Sequence, residues 1–389
     1  MKICGIIAEY NPFHNGHRYQ LERTRELYGA THIAAVMSGN FTQRGDAAIL
    51  DKYRRAEAAL RGGVDLVIEL PVAYALASAE QFALGAVGLL NALGCVELLS
   101  FGSESGDISA LREAAAAVLY AAQTDDFYTF MKGGDPYPAA LQKAVEKYYT
   151  DDVVALLTTP NNTLAIEYLK AMDELGCAFS PVTVKRIGAA HDGENAENGY
   201  ASASAIRKMI RAGEDISAYA PPLAVSDIAA ETADLARLET AILAKLRTMS
   251  RNELLKVPNV LAGLENRLYK AIRASGSLAE VAVFTKTKRY TMARIRRILL
   301  SAFLGIKKSD PSAPPPYIHI LGMNERGKEI LAAAKCSLPI DTSLKALMGT
   351  GDKARRFALL EADAGDLYAL AFQKPRPCGL DFTSKPIIL

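Results

Sequence analysis

His14 and His17 stand three residues apart in the run "EYNPFHNGH" (residues 9–17), directly behind the apolar run Ile3–Ala8. Residues three apart share a helix face. Both imidazoles can therefore look out from the point where a first strand gives way to a first helix. A helix N-terminus carries free N–H groups and partial positive charge, so it attracts phosphate. Gly16 lets a flat group approach the backbone with no Cβ in the way. Pro12 and Asn11 give the loop a fixed shape. Imidazole N–H donors become more favourable as charge builds on an α-phosphate under in-line attack. The chemistry implied is adenylyl transfer, in which a nucleophile attacks ATP and pyrophosphate leaves. One histidine at a helix start is an ordinary cap; two of them in P-F-H-x-G-H behind an N-terminal strand ask for more.

The elements that would position this loop form a regular rhythm. Strand-like runs occupy residues 2–8, 32–39, 64–71, 95–102 and 181–187. Helix-period runs lie between them at 17–28, 51–61, 79–93, 107–123 and 162–175. Such alternation marks an α/β protein with a Rossmann-like parallel sheet and crossover helices. Ligands in these folds bind beyond the carboxyl ends of the strands, and the loops "EYNPFHNGH", "SGNFTQRGD" and "FGSESG" all follow strands. "APPLA" (220–224) then punctuates the chain. Long helix patterns follow at 230–249 and 252–275, then a basic stretch and the Pro-rich "SDPSAPPPY" (309–317). The tail carries a strand-turn-helix pattern, "YIHILGMNERGKEIL" (317–331), with Asn324 as an expected N-cap. The expected organisation is a first domain over 1–220 and a mostly helical C-terminal domain over 221–389.

Composition narrows the class. A chain of 389 residues is long for one core. Half of it is apolar and the formal charge is only +2, so net charge names no partner. Five scattered cysteines with no C-x-x-C pair argue against a disulfide framework or zinc ribbon, and for a cytoplasmic setting. Five histidines show no ligand spacing, so no metal site is expected. No apolar run approaches the length of a membrane span.

"NPFHNGH" is similar to the H-x-G-H signature of the nucleotidyltransferase superfamily. That superfamily also has a Ser/Thr-rich turn before a helix, of the form I-S-S-T-x-I-R, and "YASASAIRKMI" (200–210) resembles it with Ala201-Ser202 replacing the leading Ile-Ser. The resemblance implies that Ser204 caps the helix and touches phosphate, and that Arg207 reaches the β- and γ-phosphates.

A closer likeness runs through "GIIAEYNPFHNGHRYQL", "VMSGNFTQRGDAAILDKYRRAEAAL", "DLVIELP", "FGSESGD", "PNNTLAIEYLKA", "ASAIR", "KTKRYTMARIRRILL" and "YIHILGMNERGKEIL", in that order. Over roughly residues 1–375 the chain resembles the bacterial tRNA(Met) cytidine acetate ligases. Members of that family make acetyl-adenylate from ATP and acetate. They then acetylate N4 of the wobble cytidine of elongator tRNA(Met), giving N4-acetylcytidine, AMP and pyrophosphate. The resemblance implies an ATP loop at Ile7, Ala8, Glu9, Tyr10, Asn11, Pro12, Phe13, His14, Asn15, Gly16, His17, Arg18, Tyr19 and Gln20, with His14 and His17 catalytic. It adds Gly102, Asn162 or its neighbour Asn161, and Arg186 at the nucleotide. Mg2+ would accompany ATP without identified protein ligands. Asn40, Gln43 and Arg44, in "SGNFTQRGD", are placed to bind acetate or steer the cytidine, with no role assigned to any one of them.

A tRNA partner needs a basic surface. Residues 281–308 hold Lys286, Lys288, Arg289, Arg294, Arg296, Arg297, Lys307 and Lys308 and no acid. "YTMARIRRILLSAFL" reads as an amphipathic helix with Ile295, Ile298, Leu299 and Ala302 inward and arginines outward. The competing function is a small-molecule adenylyltransferase, which explains the first domain but not this basic helix. Neither a membrane nor a protein partner is expected.

Overall fold

The computed structural model describes residues 1–187, 199–220, 231–312 and 314–389. The expected punctuation at 221–224, residue 230, His191 and Ala313 lie outside the described residues. Apolar, β-branched runs make the strands. β1 (Ile3–Ala8), β2 (His32–Ser38), β5 (Leu66–Leu70), β6 (Leu98–Ser103) and β7 (Ser180–Lys185) form the parallel body of one sheet. Its order is β10-β8-β5-β2-β1-β6-β7, with β8 (Ile318–Met323), β9 (Ile340–Asp341) and β10 (Ile387–Ile388) completing one side. β8 runs antiparallel to β5, and β9 and β10 pair parallel with β8. A short hairpin, β3 (Phe41–Thr42) and β4 (Asp46–Ala47), lies within the loop after β2.

β2 is buried along its whole length, as a central parallel strand must be. Alternate residues feed two cores. Ala34, Val36, Leu66 and Ile68 face one; Ile33, Ala35, Met37 and Val67 face the other. The first core extends without a break into Ile242, Leu246, Leu268, Ile295 and Ile298 of the C-terminal helices.

The five expected crossover helices are present: α1 (Asn15–Tyr28), α2 (Lys52–Arg61), Ala79–Leu93, Ile108–Ala121 and Pro160–Glu174. The two long C-terminal patterns are broken. Residues expected as one helix over 230–249 hold a 3-10 turn, Leu235–Leu238, and a helix, Glu239–Thr248. The pattern over 252–275 splits into Arg251–Leu255 and Leu264–Ala274. Asn259 (φ 64°) and Gly263 (φ 92°) turn the chain between them, next to Pro258. The basic stretch does form a helix, Met292–Leu304, capped by Thr291, with Ile295, Ile298, Leu299 and Ala302 buried. Asn324 caps Glu325–Ala333 as expected.

No helix among the described residues is long and apolar enough to cross a membrane.

Candidate active site

Strand order reverses at β1, whose neighbours are β2 and β6. The crevice beyond the carboxyl ends at such a switch point is the usual ligand site of this architecture. Here it is filled from below by the loop between β1 and α1. Phe13 is buried against Gly62, the C-cap of α2, where an added Cβ would lie 2.3 Å from its ring. Asn11 Oδ1 accepts the Ile49 amide at 2.8 Å. Tyr10 takes a left-handed φ of 45°, uncommon for a bulky residue. Its ring packs edge-on to Phe13 and His17 at 5.1 and 4.8 Å.

His14 is the N-cap of α1, and its Nδ1 accepts the Gly16 amide at 3.0 Å. His17 Nδ1 accepts the His14 amide at 3.2 Å. The two ring centroids lie 3.9 Å apart, with the planes tilted by 31°. Because both Nδ1 atoms accept, both neutral rings carry their proton on Nε2. Neither Nε2 has a protein partner among the described residues, so each offers one N–H donor. Burial lowers the His14 pKa to about 3, helped by the Arg186 and Arg207 charges. Burial, then His14 and Arg186, push His17 well below its ordinary value. Both rings are neutral donors at neutral pH. Gly16 serves the histidine as much as any ligand, since a Cβ there would sit 2.8 Å from His14 Cε1.

Two arginines supply the positive charge. Arg186 follows β7 and packs its side chain over Gly102, where an added Cβ would lie 3.3 Å from Arg186 Cγ. Arg207, from the helix Ala203–Ala212, donates to the Asn11 carbonyl at 2.8 Å. Burial lowers the pKa of both, but a guanidinium stays charged. They line a cleft of about 430 Å³ together with Ile7, Ala8, Glu9, Tyr10, Asn11, His14, His17, Gln20, Gly102, Asn161 and Ser204. A smaller recess joins it, lined by His14, Gly16, Tyr19, Gln20, Gly102, Arg186 and Ser202.

Other expected residues face elsewhere. Pro12 and Phe13 are buried. Asn15 donates to the carbonyls of Gly199 and Ala218, both at 2.8 Å, and Arg18 pairs with Glu22 on the surface. Of the two asparagines, Asn161 reaches the cleft. Asn162 is buried and accepts the amides of Glu104 and Ser105. The Glu104 carboxylate returns the favour, capping the start of Pro160–Glu174 by accepting the amides of Asn161 and Asn162. The helix cap at 203–212 is Ser202, not Ser204; it accepts the Ala205 amide at 3.1 Å, and the Ser204 hydroxyl bonds to its Oγ. Ser202 is the residue before the helical turn, where a cap belongs.

The loop after β2 carries Gln43, Arg44 and Asp46 into the cleft, whereas Asn40 is buried and accepts the Lys52 amide at the start of α2. One residue with no signal beyond its charge holds both loops. Arg55 is fully buried and donates to the carbonyls of Leu50, Glu9, Ser38 and Gly39. Beneath Gly39 lies a buried ionic group. Lys52 pairs with Glu69 at 2.7 Å and with Asp381, and His319 Nδ1 meets Glu69 at 2.6 Å. Burial raises Glu361 and Asp381, while Lys52 and His319 outweigh burial at Glu69 and hold it at about 2.

The expected basic surface divides. Lys286, Lys288, Arg289 and Arg296 are exposed. Arg294 is half-buried, donating to the Asn259 carbonyl at 2.7 Å, and Arg297 donates to the Gln43 carbonyl at 3.3 Å. Burial and the nearby Arg294 lower Arg297 to about 10. The basic helix thus touches the cleft loop, with Gly45 packed on the backbone of Arg296 and Arg297.

A parallel sheet with an H-x-G-H loop at its switch point defines a nucleotidyltransferase-type fold. The chain matches the HIGH Nucleotidyl Transferase family over residues 1–379. It is 36% identical over 417 residues to the tRNA(Met) cytidine acetate ligase of Acetivibrio thermocellus, covering 100% of both chains. It is 39% identical over 401 residues to that of Caldanaerobacter subterraneus, covering 98% of both. Its structure is similar to Thermotoga maritima TmcAL bound with alpha-thio ATP, with TM-score 0.89, 33% identity and 100% coverage of both chains. The chain belongs to the tRNA(Met) cytidine acetate ligase family.

Proposed function

We propose that this chain is an ATP-dependent acetate–tRNA ligase. It joins acetate to the α-phosphate of ATP, releases pyrophosphate, and passes the acetyl group to N4 of the wobble cytidine of elongator tRNA(Met). AMP and N4-acetylcytidine are the products. The observation that carries the reading is the pair of Nε2–H donors on His14 and His17, held over one helix N-terminus between Arg186 and Arg207.

The recess lined by Tyr19, Gly102, Arg186 and Tyr200 takes the nucleoside of ATP, where two aromatic rings and a guanidinium offer flat faces to a base. The phosphates then lie along the start of α1. Acetate attacks the α-phosphate in line, and the equatorial oxygens of the five-coordinate phosphorus gain charge. The two imidazoles donate to those oxygens without first having to shed a proton. Arg207, with Ser202 and Ser204, meets the β- and γ-phosphates as pyrophosphate leaves. Mg2+ travels with the ATP phosphates. Lys286, Lys288, Arg289 and Arg296 bind tRNA phosphates without reading sequence. A tRNA substrate places the activity in the cytoplasm.

Acetate-dependent exchange of pyrophosphate into ATP, in the absence of tRNA, tests the first half-reaction. Exchange that requires acetate supports the reading. Exchange supported only by a phosphopantetheine- or nicotinamide-type acceptor would favour a small-molecule adenylyltransferase instead.

A further inference from the structure

Acetyl transfer to an amine must lose a proton from nitrogen. Building on the acetate–tRNA ligase reading, we infer that the Glu9 carboxylate accepts the proton of the cytidine N4 amine during acetyl transfer.

Glu9 and Asp46 are the carboxylates that line the larger cleft among the described residues. Glu9 stands directly after β1, on the cleft floor, and is fixed twice. Arg55 holds its carbonyl at 2.6 Å, and its Oε1 accepts the Gln43 amide at 2.8 Å. Oε2 has no protein donor among the described residues, so one oxygen is left for a ligand. Arg44 and Arg207 act on Glu9 electrostatically from the phosphate side. Tyr168 feels the Glu9 charge from the other side, and with Phe82 and Phe101 it forms an aromatic wall of the same cleft. The Phe101 and Tyr168 rings lie 5.8 Å apart. A flat base stacks on such a wall, and the nucleoside of ATP has its own recess. Asp46, like Glu9, gives one oxygen to a backbone amide, Oδ1 to that of Ala47 at 2.9 Å; it differs in acting on Arg207 and not on the aromatic wall. Glu9 is therefore the carboxylate that meets both the phosphates and the wall.

The step balances. The N4 lone pair attacks the acetyl carbon of acetyl-adenylate. The carbon–oxygen bond to the phosphate breaks, and AMP leaves with that electron pair. N4 gives one proton to Glu9 Oε2, which later passes it to water. Burial raises the Glu9 pKa against the opposing pull of the Gln43 amide and the arginines, which makes its carboxylate a stronger base than an ordinary one.

Glu9→Gln keeps an acceptor for the Gln43 amide and removes the base. In the full chain, acetate-dependent ATP–pyrophosphate exchange is measured beside transfer in the same variant, and transfer should lose far more than exchange. Single-turnover acetyl transfer to bacterial tRNA should fall by about 10²–10⁴-fold and lose the acid limb of its pH profile. Glu9→Asp, with the carboxylate retained, should restore that limb. Transfer at the parental rate would overturn the inference. So would a matched loss of exchange and transfer in both variants, which would make Glu9 a nucleotide or loop residue. A parent chain that exchanges pyrophosphate but forms no acetylcytidine would overturn the ligase reading itself, and this inference with it.

Discussion

The His14 and His17 rings lie 3.9 Å apart, and each turns its Nδ1 into the backbone at the start of α1. The cap and the pair of outward-facing donors are one device. The hydrogen bonds that begin the helix also select the tautomer that aims Nε2–H outward.

Removing either ring should therefore act mainly on the transition state. His14→Ala or His17→Ala should lower acetate-dependent pyrophosphate exchange by about 10²–10³-fold, the usual loss of one oxyanion donor. His14→Ala also loses an N-cap and should cost about 1 kcal/mol of stability. Exchange rates and urea unfolding check both numbers. A variant that exchanges at the parental rate would remove its histidine from the site.

The same burial predicts an acid-sensitive fold. The folded pKa of His14 lies near 3 and that of His17 well below its ordinary value. Between those values and about 6.5 the unfolded chain binds more protons, so stability falls as pH drops. The contribution is complete above about pH 6.5. Melting temperature measured from about pH 7 to about pH 5 should drop more for the parent than for the His14→Gln, His17→Gln double variant. Equal drops would mean that the rings are not buried neutral.

Arg55 predicts a structural cost at a distance from substrate. Arg55→Met strands the carbonyls of Leu50, Glu9, Ser38 and Gly39. A buried unsatisfied polar group costs about 1–3 kcal/mol, so urea unfolding should show a loss of about 3 kcal/mol or more. Arg55→Lys keeps the charge but not the fork, and should recover only part of the loss. A loss below about 1 kcal/mol would show that the two loops do not depend on this clamp.

Alanine at Lys286, Lys288 and Arg289 should weaken tRNA binding and leave acetate-dependent exchange intact. For every phosphate-binding side chain removed, the slope of log affinity against log salt should become shallower by about 1. Lys288 also sits 3.5 Å from Asp135, and the exposure of its own side chain keeps that pair weak. Arg294 and Arg297 are poorer probes, because both donate to backbone carbonyls and Arg297 touches the Gln43 loop. An unchanged salt slope would move the tRNA surface elsewhere.

The loop at 9–17 is legible in the sequence because it combines a strand, a turn and paired histidines within a few residues. The parallel body is legible because strands such as β2 and β5 are buried on both faces and read as apolar runs. β10 gives no such signal, since two residues are too few to set a period. Period alone overextends the C-terminal helices, because it ignores what Asn259 and Gly263 do to the backbone. The motif favours Ser204 over Ser202 because it orders residues without saying which one leaves the helical conformation; only the backbone of Ser202, φ −68° and ψ 151°, makes it the cap. Arg55 is invisible as a clamp. Its partners are carbonyls 5 to 46 residues away, and carbonyls leave no trace in a sequence.

The most direct test of the ligase is to incubate the pure protein with ATP, labelled acetate and bulk bacterial tRNA, then digest the RNA and separate its nucleosides. Label should appear in N4-acetylcytidine and vanish when His14 or His17 is replaced by alanine. Label absent from RNA while acetate still drives AMP and pyrophosphate formation would contradict the tRNA acceptor, and no acetate-dependent turnover at all would contradict the ligase.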